Sequence, residues 1–249
     1  MKQLVIPPGI LLSGESLVLQ GDEYHYLVRV RRCRVGDKIS ILSGDRSGTA
    51  VVENLTPDKI TLKVSGLLES EEDSRPLYLF PALLKGSKMD DVLRQGVEAG
   101  AAGIFPFGGE FSVGQISRED VKKKELRWQS LVQEAVQQSG APRVPGTGFL
   151  SSVKDLLAFW GERGLLLFFH QIPLAKDSLH GYLSSGYGPV GLIIGPEGGL
   201  SPKEIQVLAE AGAKPVYLGN RVLRAETASV FALASVRILL EEQSFWKIP

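Results

Sequence analysis

From Leu77 onward, short and largely apolar runs alternate with segments of helical period, and this alternation constrains the fold more than any other feature. LYLFPALL, LLLFFHQI at 165–172 and VGLIIG at 190–195 read as buried strands, and GIFPF and PVYL as further strands. MDDVLRQGVEAG between them reads as a helix, with Val92, Leu93 and Val97 on one face and Gly100 as its stop. Residues 119–139 give the clearest helix: Trp128, Leu131, Val132, Ala135 and Val136 form one apolar stripe, and Gly140 and Pro142 end it. SPKEIQVLAEAG carries a capping box, Ser201 to Glu204, with Pro202 at the first helical position. A last helix covers 227–243. Strands alternating with helices imply an α/β fold whose parallel sheet is covered on both faces.

The first 68 residues have a different period. SLVLQ, YLVRVRR, KISIL, TAVVENL and KITLKVSGLL are short β-rich runs separated by GD, SGDRSG and TPD. Strands this short and closely spaced suggest a small barrel or sandwich. ESEEDSRP at 69–76 is polar, acidic and ends in proline, as a domain boundary would. The expected domains are therefore 1–70 and 77–249.

Twenty-eight basic and 28 acidic residues leave no net charge, which argues against coating nucleic acid through overall charge but not against a local basic patch. A single cysteine, Cys33, excludes an internal disulfide and fits a reducing, cytoplasmic setting. His25, His170 and His180 are far apart with no cysteine at ligand spacing, so no metal site is expected. No run approaches the ~18 apolar residues of a membrane span. The expectation is a soluble protein without membrane contact.

Two Gly/Pro-punctuated loops, GPEGGLS and LGNRVLRAETA, each follow a strand and lead into a helix. Ligands of open α/β sheets sit at such strand ends. The three glycines of GPEGG fit either close backbone approach to a ligand or an ordinary tight turn. Glu226 suits a helix N-terminus by charge alone, and Arg224 reads either as a ligand contact or as a surface ion pair. GYGPVG at 186–191 matches the dinucleotide pattern by letter only: it precedes a strand and contains Pro189, so it is a turn. No P-loop pattern is present.

Within YHYLVRVRRCRVGD, a strand would put Arg29 and Arg31 on one face and Val28 and Val30 on the other, with Arg32 and Arg34 following. Basic groups beside Tyr24, His25 and Tyr26 suit RNA, whose phosphates are paired and bases stacked; a solvated strand face is the plainer alternative. Lys85 and Lys88 in LLKGSKMDD extend the patch. In QQSGAPRVPG, Gln138, Ser139 and Arg143 are either ligand-facing or a polar helix terminus.

GLIIGPEGGLSPKEI followed by LGNRVLRAETA closely resembles the signature of SPOUT-class RNA methyltransferases, and more narrowly the RsmE family of 16S ribosomal RNA uridine-N3 methyltransferases. EYHYLVRVRRCRVGDKISIL resembles the PUA-like barrel of that family, and KGSKMDDVLRQGVEAG and LRWQSLVQEAVQQSG its central segments. The resemblance implies a SPOUT-type parallel sheet with a C-terminal trefoil knot, preceded by a PUA-like β-barrel that binds RNA. It implies S-adenosyl-L-methionine bound in the knot and a homodimer with the site at the subunit interface. The substrate would be 16S ribosomal RNA or the small ribosomal subunit. The cofactor positions carried over are Ile194, Gly195, Pro196, Glu197, Gly198, Leu218, Gly219, Asn220, Val222, Leu223 and Thr227. The RNA-binding positions are Arg29, Arg31, Arg32, Lys85, Lys88 and Arg143. Arg224 is the expected catalytic stabiliser of charge developing on the uracil, with Glu226, Glu197 or solvent alone as the proton acceptor. The chain departs from the family at Gln95-Gly96, Phe111 and Ala141, where basic residues are usual. Two rival readings share these features: a SPOUT enzyme acting on transfer RNA, and a non-catalytic RNA-binding ribosome-assembly protein.

Overall fold

A computed structural model describes residues 3–6, 16–69, 73–112, 116, 118–174, 177–184 and 188–244. Parts of the MKQLVIPPGILLSGESL, ESEEDSRP, GGEFSV and GYGPVG segments fall outside them. The chain divides into two compact units, Met1–Glu72 with Val136–Val144, and Asp73–Ala135 with Pro145–Pro249.

The first unit holds β1 (Gln3–Ile6), β2 (Ser16–Leu19), α1 (Gly21–His25), β3 (Lys38–Ser43), β4 (Arg46–Leu55) and β5 (Ile60–Glu69). Its five-stranded sheet runs β1-β3-β4-β5-β2, with β1 parallel to β3 and the other pairs antiparallel. Period-two alternation buries Ile39 and Ile41 of β3, Ala50 and Val52 of β4, and Ile60, Leu62 and Val64 of β5 in one core. Burying each large aliphatic side chain contributes about 1.5–3 kcal/mol. Gln3 ties the outlying segment into this unit: its Nε2 donates to the carbonyls of Val136 and Ala141, at 3.3 and 2.6 Å.

The expected YLVRVRR strand is corrected. Tyr26–Val30 forms a π-helical turn continuing α1. The physical reason is burial. A strand would have turned both valines inward, yet Val30 is 60% exposed and Leu27 alone in this turn is fully buried. One inward residue per turn is a helical requirement, and Asp22 and Glu23 suit the helix N-terminus. Arg29 and Arg31 therefore do not form a strand-face stripe. Arg29 and Arg32 are exposed and Arg31 is half-buried. Arg32 leaves the helix at φ 56°. Burial raises the pKa of the adjacent Cys33 thiol, against a smaller opposing pull from Arg31.

The second unit contains β6 (Leu77–Pro81), α2 (Lys88–Glu98), β7 (Gly103–Ile104), most of α3 (Arg118–Ser139), β8 (Gly146–Thr147) and α4 (Val153–Trp160). It continues through β9 (Leu165–His170), α5 (Leu179–Ser184), β10 (Val190–Ile194), α6 (Pro202–Glu210), β11 (Lys214–Tyr217) and α7 (Ala225–Ser244). All six strands are parallel, in the order β11-β9-β10-β6-β7-β8. Phe80, Phe168 and Ile193 meet α4 and α6 through Val153, Leu156, Trp160 and Leu208 on one face. On the other face α7 packs on β6, β10, α2 and α5. Both faces are thus covered, as apolar runs without alternation require. Among the described residues, no helix is long and apolar enough to cross a membrane.

Candidate active site

The order β11-β9-β10 brings three strand ends side by side, and the loops leaving them line one half-open cavity. A cleft at such strand ends is where small-molecule sites of open α/β sheets form. Ile194, Gly195, Pro196 and Glu197 line it after β10, Leu218, Gly219, Val222 and Leu223 after β11, and Phe169, His170 and Gln171 at the end of β9. The two loops singled out in the sequence therefore share one cavity.

Local chemistry shapes each wall. The Gly199 N–H donates to the Pro196 carbonyl at 2.8 Å, closing the GPEGG turn. Gly195 packs so tightly on that turn that a Cβ would stand 2.9 Å from the Leu200 nitrogen, so the backbone there has no room for a side chain. Ser201 then caps α6: its Oγ accepts from the Glu204 N–H at 3.1 Å, and Glu204 Oε2 accepts from the Ser201 N–H at 2.8 Å. Gly219 adopts φ 103°, which turns the chain after β11. Leu200, Leu218, Leu223, Ile194 and Phe169 contribute apolar side chains to the lining, and His170, Gln171, Glu197 and Arg221 polar ones.

A charged cluster adjoins the GPEGG loop. Lys88, at the start of α2, donates from Nζ to Glu197 Oε1 at 2.6 Å. The hydrogen bond holds the Glu197 carboxyl below its ordinary pKa and the Lys88 ammonium above its own. Glu226 and Arg224 lie close enough to act on the Lys88 charge, Glu226 favouring it and Arg224 opposing it. Glu226 Oε2 is buried and accepts no hydrogen bond. The Arg224 carbonyl accepts the Ala228 N–H at 2.8 Å, opening α7, while the Arg224 side chain is exposed.

The expected residues thus separate into groups. Ile194, Gly195, Pro196, Glu197, Leu218, Gly219, Val222 and Leu223 line the cavity. Gly198 faces away from it, toward Phe111. Asn220 is exposed beside it. Thr227 and Glu226 line a separate groove between α2 and α7, with Gln95, Ala99, Val230 and Phe231. Lys85 is exposed just before α2. Arg29, Arg31, Arg32 and the half-buried Arg143 belong to the other unit. Sequence reasoning missed Phe169, His170, Gln171 and Arg221 as cavity residues. The LLLFFHQI strand was legible, but only the spatial order of the sheet sets its end between the two loops. Among the described residues no His, Cys, Asp and Glu cluster could hold a metal ion.

Comparison with known proteins agrees with this geometry. Residues 71–237 match an RNA methyltransferase domain model, and residues 19–65 match an RNA methyltransferase PUA domain model. Ribosomal RNA small subunit methyltransferase E 2 of Borreliella burgdorferi is 32% identical over 97% of this chain and 99% of its own length. The chain belongs to the ribosomal RNA small subunit methyltransferase E family. It is an RNA methyltransferase with a PUA domain at its N-terminus and a SPOUT-type α/β domain after it. The Bacillus subtilis family member is 29% identical over 90% of each chain. The crystal structure of the Neisseria gonorrhoeae member, bound to S-adenosyl methionine, superimposes with a TM-score of 0.84 at 26% identity, covering 96% of this chain and 98% of that one.

Proposed function

We propose that this chain transfers a methyl group from S-adenosyl-L-methionine to N3 of a uridine in 16S ribosomal RNA, with the cavity at the ends of β9, β10 and β11 as the donor site. The observation that carries the reading is the convergence of GPEGG and LGNRVL on that one cavity. The residues fit such a ligand. The apolar wall of Ile194, Leu218, Leu223 and Phe169 suits a purine ring, and Gly195 lets the GPEGG turn close tightly beside it. When bound, the donor supplies an electrophilic methyl group on a sulfonium.

The chain's own residues would position and neutralise. The cavity orients the donor for in-line attack and excludes water around it. Uridine N3 loses its proton as the N–C bond forms, and negative charge spreads onto the flanking oxygens. Arg224 stabilises that charge, with Lys88 as a second cation held by Glu197. Glu197, which lines the cavity, or solvent takes the proton, while Glu226 in the adjoining α2–α7 groove favours the Lys88 charge. No step requires a metal.

In this reading residues 1–70 form the RNA-binding domain, with Arg29 and Arg32 on phosphates together with Arg143 of the 136–144 segment that joins that unit, and residues 77–249 form the catalytic domain with its C-terminal trefoil knot. The enzyme acts as a cytoplasmic homodimer. The second copy covers the α2–α7 groove, where Phe231 is 48% exposed beside Val230 and Ala234. Mass-spectrometric mapping of ribosomal RNA from a deletion strain tests the substrate: one N3-methyluridine disappears from 16S RNA and returns on complementation. A methyl group lost from transfer RNA instead, or none lost, refutes the assignment.

A further inference from the structure

Three of the described aromatic side chains are exposed: Phe111, Tyr217 and Phe231. Phe111 differs from the other two in what holds it and what surrounds it. It stands at the tip of a turn fixed by three hydrogen bonds. The Gly109 N–H donates to Ser112 Oγ and the Ser112 N–H to the Gly109 carbonyl, each at 3.0 Å. The Glu110 N–H donates to Glu204 Oε1 at 2.9 Å. Glu204 is the buried capping-box glutamate of α6, so one side chain locks both the start of that helix and the turn that carries Phe111.

The ring rests on the GPEGG loop. A Cβ on Gly198 would lie 3.1 Å from Phe111 Cβ and 3.5 Å from its Cγ. The neighbours of Gly198, Glu197 and Gly199, line the donor cavity on the other side of the loop. Phe111 is nonetheless 48% exposed. A second, wider cavity opens beside the turn at the ends of β6, β7 and β8, and includes Glu110, Ser112, Lys154 and Lys203. A half-exposed aromatic ring on a fixed turn, between the donor loop and a cavity bearing two lysines, has the composition of a single-stranded RNA contact: a face for a base and cations for its phosphates. Phe231 lacks this setting, since among the described residues no lysine or arginine lines its groove.

We propose that Phe111 is a stacking platform for a nucleobase of the RNA substrate, holding the strand as the target uridine reaches the donor loop, with Lys154 and Lys203 taking flanking phosphates. The inference rests on the RNA methyltransferase reading. It assigns Phe111 to substrate positioning rather than to the donor site.

The test compares unaltered protein with Phe111→Leu, Phe111→Ala and Phe111→Trp on 16S ribosomal RNA, with donor affinity measured separately by calorimetry. Leucine keeps apolar cover on Gly198 without a π face, and tryptophan keeps the face. Stacking is worth about 1–3 kcal/mol per base, so KM for RNA should rise roughly five- to a hundredfold in the Leu and Ala variants. The Trp variant should stay near normal, and donor affinity should be unchanged in all three. Indole fluorescence of Phe111→Trp, referenced to the unaltered protein, should be quenched by RNA. An unchanged KM in Phe111→Leu, an unquenched indole, or a fall in donor affinity that parallels the fall in activity would overturn the proposal, the last because Phe111 would then be only cover for the loop. If the unaltered protein methylates no RNA, the functional reading falls as well. If it does and the variants match it, only the stacking role falls.

Discussion

At the residue scale, the site depends on charges that neutralise one another and on backbone that carries no side chain. Arg224 is held by the start of α7 rather than by a packed side chain, so Arg224→Ala should leave the fold intact. Loss of one charge-stabilising donor typically costs 10²–10³ in turnover, and a drop of about a hundredfold in kcat with unchanged donor affinity is expected. Near-normal turnover by the folded variant would remove Arg224 from the mechanism. The Lys88–Glu197 pair gives a pH signature. Glu197 is shifted down, so its contribution is present above the ordinary carboxylate value of 4.5 and is lost as pH falls through its folded value. Lys88 is shifted up, so its contribution is present below the ordinary value of 10.5 and is lost as pH rises through its folded value. The Tm difference between the unaltered protein and Lys88→Met should therefore hold level between 4.5 and 10.5 and shrink on the acid side as Glu197 is protonated. Both side chains are more than a third exposed, so salt should reduce it throughout.

At the element scale, α6 connects the donor loop to the Phe111 turn, and Glu204 is its pivot. Ser201→Ala removes one cap interaction and should cost about 1 kcal/mol. Glu204→Ala orphans the Ser201 and Glu110 N–H groups together, each costing about 1–3 kcal/mol if left buried and unpaired. Denaturant titration should rank Glu204→Ala as clearly the more harmful, and equal losses would show that the turn does not depend on α6. The capping box was legible because it is local: four consecutive residues specify it. The apolar stripe of α3 was legible because Trp128, Leu131, Val132, Ala135 and Val136 repeat over several turns, and all five are buried. The π-helical turn at Tyr26–Val30 was not, since its tyrosine and valines favour a strand locally while the core buries Leu27 fully and only partly covers Tyr26 and Val28. β7 and β8 have two residues each, too short to carry any period. His170 and Gln171 were missed because their place depends on β9 lying between β10 and β11, which is long-range information.

At the scale of the whole molecule, a chain with no net charge must grip RNA through local groups, and the arrangement separates two tasks. In the proposed reading one cavity takes the methyl donor, while basic and aromatic groups elsewhere take the RNA. For the proposed homodimer, the remaining apolar groove is the proposed subunit contact. Phe231→Glu should then give monomers in light scattering where the unaltered protein gives dimers, and an unchanged mass would contradict that contact. The central claim, that the loops after β9, β10 and β11 form the donor site, is tested most directly by calorimetric titration of S-adenosyl-L-methionine into the purified chain and into Gly195→Ala. The added Cβ would meet the Leu200 nitrogen at 2.9 Å and displace the loop that lines the cavity; overpacking of about 1–3 kcal/mol, if it falls on the bound geometry, weakens affinity about five- to a hundredfold. The account predicts one donor bound per unaltered chain and affinity at least about fivefold weaker in the folded variant. Equal binding by both proteins, or none by the unaltered chain, would contradict it.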